Sequence, residues 1–287
     1  MMLPLQLVNY VRKPDNVGDM HDRIIRPRRL CGQGEGRLSE TDTESFRRTS
    51  DDAARLGHPS YVWRAGQERR LALVRQWVQL DGARILDAGC GVGMYTEQFR
   101  RFSQHVTGVE IDLAVARQAS ARLPGIVVAP AEALPFADGS FDVLFSHEVI
   151  EHVTDDAAAA AEMLRVVTPG GRIVIFCPNR LYPFETHGHY WRGRYHFGNT
   201  PLINYLPDPL RNRLVPHVRA YTAAGLRGLF DPAQARVVHH SVIYPGFDNI
   251  VARRPGMGRV LKRGLYALEH TPLQAFGLSH FLVLERM

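Results

Sequence analysis

Residues 84–99, RILDAGCGVGMYTEQF, constrain what this chain can fold into more than any other stretch. Ile85, Leu86 and Ala88 form a short apolar run that breaks into Gly89-Cys90-Gly91-Val92-Gly93. A helical pattern follows, with Tyr95, Phe99 and Phe102 at its apolar positions. Strand, glycine turn and helix in that order bring backbone N–H groups and a helix N-terminus close to a ligand. Glycine also serves tight strand-to-helix turns for steric reasons alone, so the neighbouring segments decide what the turn is for.

Those segments alternate. Leu71, Val74, Trp77 and Val78 recur at helical spacing up to Leu80, and Asp81-Gly82 ends that helix before a strand over about 83–88. Strands are predicted at about 105–111 (HVTGVEI), 126–129, 141–146 (FDVLFS) and 172–177. Asp112 is placed to cap a helix running to about Arg122, and Asp155 or Asp156 starts an alanine-rich helix to Val167. Thr168-Pro169-Gly170-Gly171 reads as a turn into the fifth strand. Such alternation at short spacing predicts a doubly wound parallel α/β sheet covered on both faces.

Around this core (residues 82–178) the pattern changes. Residues 1–57 show no sustained period and are expected to be a disordered extension, with order beginning near Tyr61 and a folded domain over 58–287. Residues 179–219, rich in aromatics, histidine and proline, are too long for an ordinary connection and are expected to form a lid or substrate-binding insertion. A helix over 221–230 and a strand over 236–243 follow, then a second insertion over 245–279 with a helix at 258–270, and a closing strand over 281–285. The last two strands predict an antiparallel hairpin on one sheet edge, giving seven strands in all.

Composition narrows the class. Hydrophobic content of 45% suffices for a real core, and no stretch approaches the roughly 18 apolar residues of a membrane span. Cys31, Cys90 and Cys177 lack ligand spacing and read as reduced thiols, so a cytoplasmic location is expected. The net charge of +6 is uneven: residues 160–263 hold 15 basic and 5 acidic side chains. That suits an acidic substrate or an anionic membrane surface, against the simpler view of a solvated arginine-rich exterior.

Residues 84–178 resemble the class I S-adenosylmethionine-dependent methyltransferases, of the type that includes ubiquinone and menaquinone biosynthesis enzymes. ILDAGCGVG is similar to the family's glycine-rich first motif, GVEID to its second-strand ending, AEALPFADGSFDVLFS to its adenine-side loop, and HEVIEHV with LRVVTPGG to the region after strand four. The resemblance implies a Rossmann-like fold, S-adenosyl-L-methionine as cofactor, and cofactor contacts from Asp87, Gly89, Gly91, Gly93, Glu110, Ile111, Ala131, Glu132 and Ser146. The residues agree on their own terms. Glu110 stands 21 residues beyond Gly89, close to the spacing at which a strand-end carboxylate accepts ribose hydroxyls. Met94 occupies the place of the third glycine in a dinucleotide fingerprint, which disfavours NAD. One departure stands out: Pro130 replaces the acidic residue that often takes the adenine amino group, leaving Ala131 backbone, Glu132 and the apolar Ile111 and Leu134 to make those contacts.

Candidates for chemistry cluster after strand four and in the first insertion. His147, His187 and His189 are candidate general bases, because imidazole abstracts a proton from a hydroxyl near neutral pH. Glu148, Glu151 and His152 share a face if helical, and the string resembles a divalent-metal site of some methyltransferases, with His187 or His189 as a further ligand. Capping and packing roles are the simpler expectation, and no metal is expected. Arg253, Arg254, Arg259, Lys262 and Arg263 flank Val260, Leu261, Leu265, Tyr266 and Leu268; a core-packed helix with a basic outer face is expected, with a peripheral membrane contact as the alternative. The expected activity is methyl transfer to oxygen of a small, sugar- or lipid-linked acceptor. A catalytically silent cofactor-binding interaction module and an RNA methyltransferase are the rivals; no Asn/Asp-Pro-Pro-Tyr/Phe-like string or separate RNA-binding module supports the latter, so nucleic acid is not the expected partner. Oligomeric state is open.

Overall fold

Ile85, Leu86, Asp87 and Ala88 form β1 (Ile85–Ala88), buried at every position because strands lie on both sides of it and helices cover both faces. The computed structural model describes residues 63–248, 251 and 254–287. The expectations for residues 1–57, for Tyr61 and for Arg253 fall outside them. β1 pairs in parallel with β2 (Val106–Glu110) on one side and β4 (Phe141–His147) on the other. β3 (Ile126–Val128) and β5 (Val167–Pro178) extend the parallel set. β11 (Ser279–Arg286) runs antiparallel to β5, and β10 (Ala235–Ile243) antiparallel to β11, giving the order β10-β11-β5-β4-β1-β2-β3. The sheet is the expected Rossmann-like one, with seven strands and an antiparallel hairpin at one edge.

Alternating side chains divide the interior in two. Leu86, Leu144, Ile173, Ile175 and Leu282 face α4 (Asp156–Val166), which contributes Ala160, Met163 and Leu164. Ile85, Phe145, Val174, Phe176 and Phe281 face α1 (Ala65–Trp77) and α2 (Met94–Phe99), which contribute Leu71, Val74, Tyr95 and Phe99. α1 stops short of Leu80 because Val78 turns to extended backbone, and Trp77 stacks on His239 with ring centroids 4.2 Å apart. The predicted turn at residues 168–171 lies inside β5: Phe141 pairs with Val167 and Val143 with Arg172, so the Pro-Gly-Gly residues bulge out of register. Asp112 caps α3 (Leu113–Ser120) as expected, accepting the Ala114 and Val115 N–H groups at 2.8 and 3.1 Å.

Residues 179–219 fold into small pieces. β6 (Phe184–Glu185) pairs with β9 (Thr200–Pro201), and β7 (His189–Trp191) with β8 (Arg194–His196). A 3-10 turn (Ile203–Tyr205) leads to α5 (Asp208–Leu214). A small apolar cluster of Ile203, Val215 and Val218 lies beside a buried polar network. Arg211, 1% exposed, binds Glu185 Oε2 at 3.0 Å, the Val218 carbonyl at 2.9 Å and Asn204 Oδ1 at 3.3 Å, while Asn204 donates to the Tyr182 and Phe184 carbonyls. The helix expected over 221–230 is shorter, α6 (Ala223–Arg227), capped by Thr222. α7 (Pro255–Leu268) lies in the second insertion.

Candidate active site at the carboxyl ends of the parallel strands

Strand order reverses between β1 and β4, and in a doubly wound sheet the crevice outside that switch point takes ligands. On the β1 side the chain builds a cradle. Gly89 and Cys90 both donate N–H to the Val109 carbonyl at 2.8 Å, which folds the turn back over β2. Gly89 has φ +77°, and a Cβ there would sit 2.2 Å from Val149 Cγ2, so only glycine lets the turns after β1 and β4 meet. Gly91 donates its N–H to Glu110 Oε2 at 2.9 Å, and the other Glu110 oxygen accepts the Asp112 N–H at 2.9 Å. The carboxylate is thereby oriented at the strand end, with Ile111 beside it 53% exposed. Asp87 lies beneath, accepting the Thr96 hydroxyl at 2.6 Å; burial pushes its carboxyl up to about 7.

On the β4 side Ser146 is fully buried and pairs across from Ala88. Its hydroxyl, the Tyr95 hydroxyl and His147 Nε2 are buried without a hydrogen-bond partner among the described residues. His147 packs against the rings of Tyr95, Phe145 and Phe176; burial, helped by the Arg70 charge, pushes it down to about 4, so it is neutral at pH 7. Residues 148–152 form a turn rather than the helix that would align Glu148, Glu151 and His152, and Glu148 adopts φ +55°. Tertiary contact does the aligning instead. His187 Nδ1 lies 3.2 Å from Glu185 Oε1, and its Nε2 lies 3.7 Å from Glu148 Oε2. Desolvation disfavours charge at both His187 and Glu148, but their attraction wins: His187 rises to about 10 and Glu148 falls to about 2. Burial, with the Glu148 charge nearby, raises Glu151 well above the usual carboxylate range. Glu151, His152 and His187 each bring one ligand atom within 4.8 Å of the others, a donor set that suits a borderline divalent ion.

The family model described as "Methyltransferase domain" matches residues 86–175, the segment that builds both halves of this crevice. That segment is a class I S-adenosylmethionine-dependent methyltransferase domain. The malonyl-[acyl-carrier protein] O-methyltransferase of Erwinia billingiae is 34% identical over 119 residues, covering 40% of this chain and 47% of that protein. The 2-methyl-6-phytyl-1,4-hydroquinone methyltransferase of Synechocystis sp. is 40% identical over 110 residues, 35% of each chain. The chain thus spans less than half the length of these relatives. A solved S-adenosylmethionine-dependent methyltransferase from Mesorhizobium loti superposes with a TM-score of 0.53 at 20% identity, covering 75% of this chain and 96% of that one, which shows the fold.

S-adenosylmethionine is the cofactor of such a domain, and the residues of the cradle fit it. An acceptor-only carboxylate at Glu110 suits two ribose hydroxyls, the exposed Ile111 side chain suits a base, and the buried Ser146 hydroxyl is a free polar group at the strand end. On the adenine side Leu134 is 4% exposed and packed in the core, and one Glu132 oxygen accepts the Thr154 N–H at 2.8 Å. His189 is separate from the His187 cluster, bonded to Thr200 Oγ1 at 3.1 Å and stacked on His196 in the β7–β8 hairpin. Glu185, Arg211 and Tyr95 were not singled out as site residues by the sequence. Glu185 is one of two acidic residues in 179–219 and Arg211 one of six arginines there, which is a weak signal; Tyr95 reads from spacing as an ordinary core aromatic.

Proposed function

We propose that this chain transfers a methyl group from S-adenosylmethionine to an oxygen atom of a small, sugar- or lipid-linked acceptor. One observation carries the reading: the Glu110-anchored glycine cradle and the carboxylate–imidazole cluster occupy neighbouring strand ends, joined where Val149 meets Gly89. The cofactor supplies an electrophilic methyl group on a sulfonium. Asp87, Gly89, Gly91, Gly93, Glu110, Ile111, Ala131, Glu132 and Ser146 hold it. Much of the rate of such an in-line displacement comes from positioning the acceptor oxygen. His187, held protonated between Glu148 and Glu185, orients and donates hydrogen bonds; the neutral His147 is the imidazole free to accept a proton. A base held at about 4 is a weak one, so His147 suits an acceptor hydroxyl more acidic than an alcohol, such as a phenol. A divalent cation on Glu151, His152 and His187 would instead displace the His187 proton.

Two measurements test this. Calorimetry should show Glu110→Ala losing cofactor affinity at least tenfold, and unchanged affinity would overturn the cradle assignment. Mass spectrometry of cell extract incubated with isotopically labelled cofactor and purified protein should reveal a labelled methyl ether or ester. Label on carbon or nitrogen would overturn the oxygen assignment, and no labelled product at all would favour the silent binding module to which Pro130 points.

A further inference from the structure

The second insertion ends in a surface that the methyl-transfer site does not use. Of the fourteen residues of α7 only Gly258 is buried, so the helix is not the core-packed one the sequence suggests. Met257, Val260 and Leu261, at i, i+3 and i+4, are 53, 74 and 37% exposed and form one outward stripe. Arg259 and Arg263 lie one turn apart along its flank, with Lys262 beside them over the Tyr266 ring. Arg254, Arg259, Lys262 and Arg263 have no acidic partner among the described residues.

This helix is firmly mounted. Glu269, just past its end, pairs with Arg69 and accepts the Tyr244 N–H at 2.7 Å, and the Arg69 guanidinium lies 3.8 Å above the Tyr266 ring. The following 3-10 turn (Pro272–Phe276) exposes Leu273 and Phe276. Asn179 donates to the Ala275 and Gly277 carbonyls at 2.8 and 2.7 Å, which ties the turn to the start of the first insertion.

We propose that α7 and the turn after it dock this protein on an anionic lipid bilayer. A helix with an apolar stripe edged by cations lies in the plane of a membrane interface, stripe inward, its basic residues drawn by anionic headgroups. Charge separates this occupant from a second copy of the chain. Residues 254–279 carry Arg254, Arg259, Lys262 and Arg263 against one acidic side chain, Glu269, which is already paired with Arg69. Two such faces meeting across a two-fold axis would set like charges against each other. The proposal rests on the surface alone and stands whether or not the acceptor is a lipid.

Co-sedimentation of the full chain with vesicles tests it. Binding is expected to vesicles of phosphatidylcholine mixed with phosphatidylglycerol, to be weak on phosphatidylcholine alone, and to fall as salt rises. Val260→Glu and the double variant Arg259→Glu/Arg263→Glu should each weaken binding at least tenfold while Tm and cofactor affinity stay unchanged. Equal sedimentation with and without vesicles, or undiminished binding by both variants, overturns the proposal. So does a dimer in sedimentation velocity that Val260→Glu dissociates, since the surface would then belong to a second copy.

Discussion

The parallel core and the insertion over residues 179–219 meet at the site, yet different forces hold them. The core buries long rows of Val, Ile, Leu and Phe on both faces of one sheet, and its polar groups at the site sit on strand ends and backbone turns. The insertion has an apolar cluster built on Ile203, Val215 and Val218, and beside it a buried ion pair, Glu185–Arg211, ties the β6–β9 pair to α5. Apolar burial is non-directional and tolerates change elsewhere; a buried ion pair is directional and costly to break. The contrast teaches that the glycine cradle should survive damage to the insertion, and that His187 depends on the fragile half.

Breaking the ion pair is the most severe test. Arg211→Met leaves Glu185 charged and buried, at a cost of about 3–5 kcal/mol confined to the insertion. Proteolysis within residues 179–219 should accelerate while calorimetric cofactor affinity holds; loss of both together would show that the halves are not separable. Gly89→Ala attacks the other half. Left-handed backbone strain and the overlap with Val149 together cost roughly 2–4 kcal/mol, and denaturant unfolding should report it along with lost cofactor binding. Glu110→Gln removes the charge and leaves one oxygen for two N–H groups, so affinity should fall about tenfold, with a Tm loss smaller than that of Gly89→Ala.

The smallest effect is a pH dependence seated in the core, away from the insertion. His240 Nε2 lies 3.1 Å from His280 Nδ1, and burial, with His280 adding to it, lowers His240 to about 4. The folded state therefore binds fewer protons than the unfolded chain between about pH 6.5 and 4, so stability is full above that window and declines as pH falls through it. Tm measured across the window should fall, and the fall should be shallower in His240→Gln. An unchanged slope would assign the acid sensitivity to other groups such as His147.

Much of the core was legible because its signals are local. Apolar runs of strand length, the Asp112 cap and the spacing from Gly89 to Glu110 each need only a few neighbouring residues, and each is found where expected. The errors are equally local in origin. The residues after β4 read as a helical face from an i, i+3, i+4 spacing, but the approach of Val149 to Gly89 holds that segment in a turn. His187 and His189 look equivalent in sequence, two residues apart, and the structure separates them because Glu185 draws one inward while the β7–β8 hairpin carries the other outward.

The sequence by itself determined the sheet, the glycine cradle and the acid that orients it, since strand periodicity, turn chemistry and a fixed spacing are properties of contiguous chain. Tertiary structure alone decided which charges gather beside the cradle. Glu148, Glu151, Glu185 and His187 come from two segments joined only by folding, and their protonation follows from burial and mutual distance, neither of which any stretch of sequence contains.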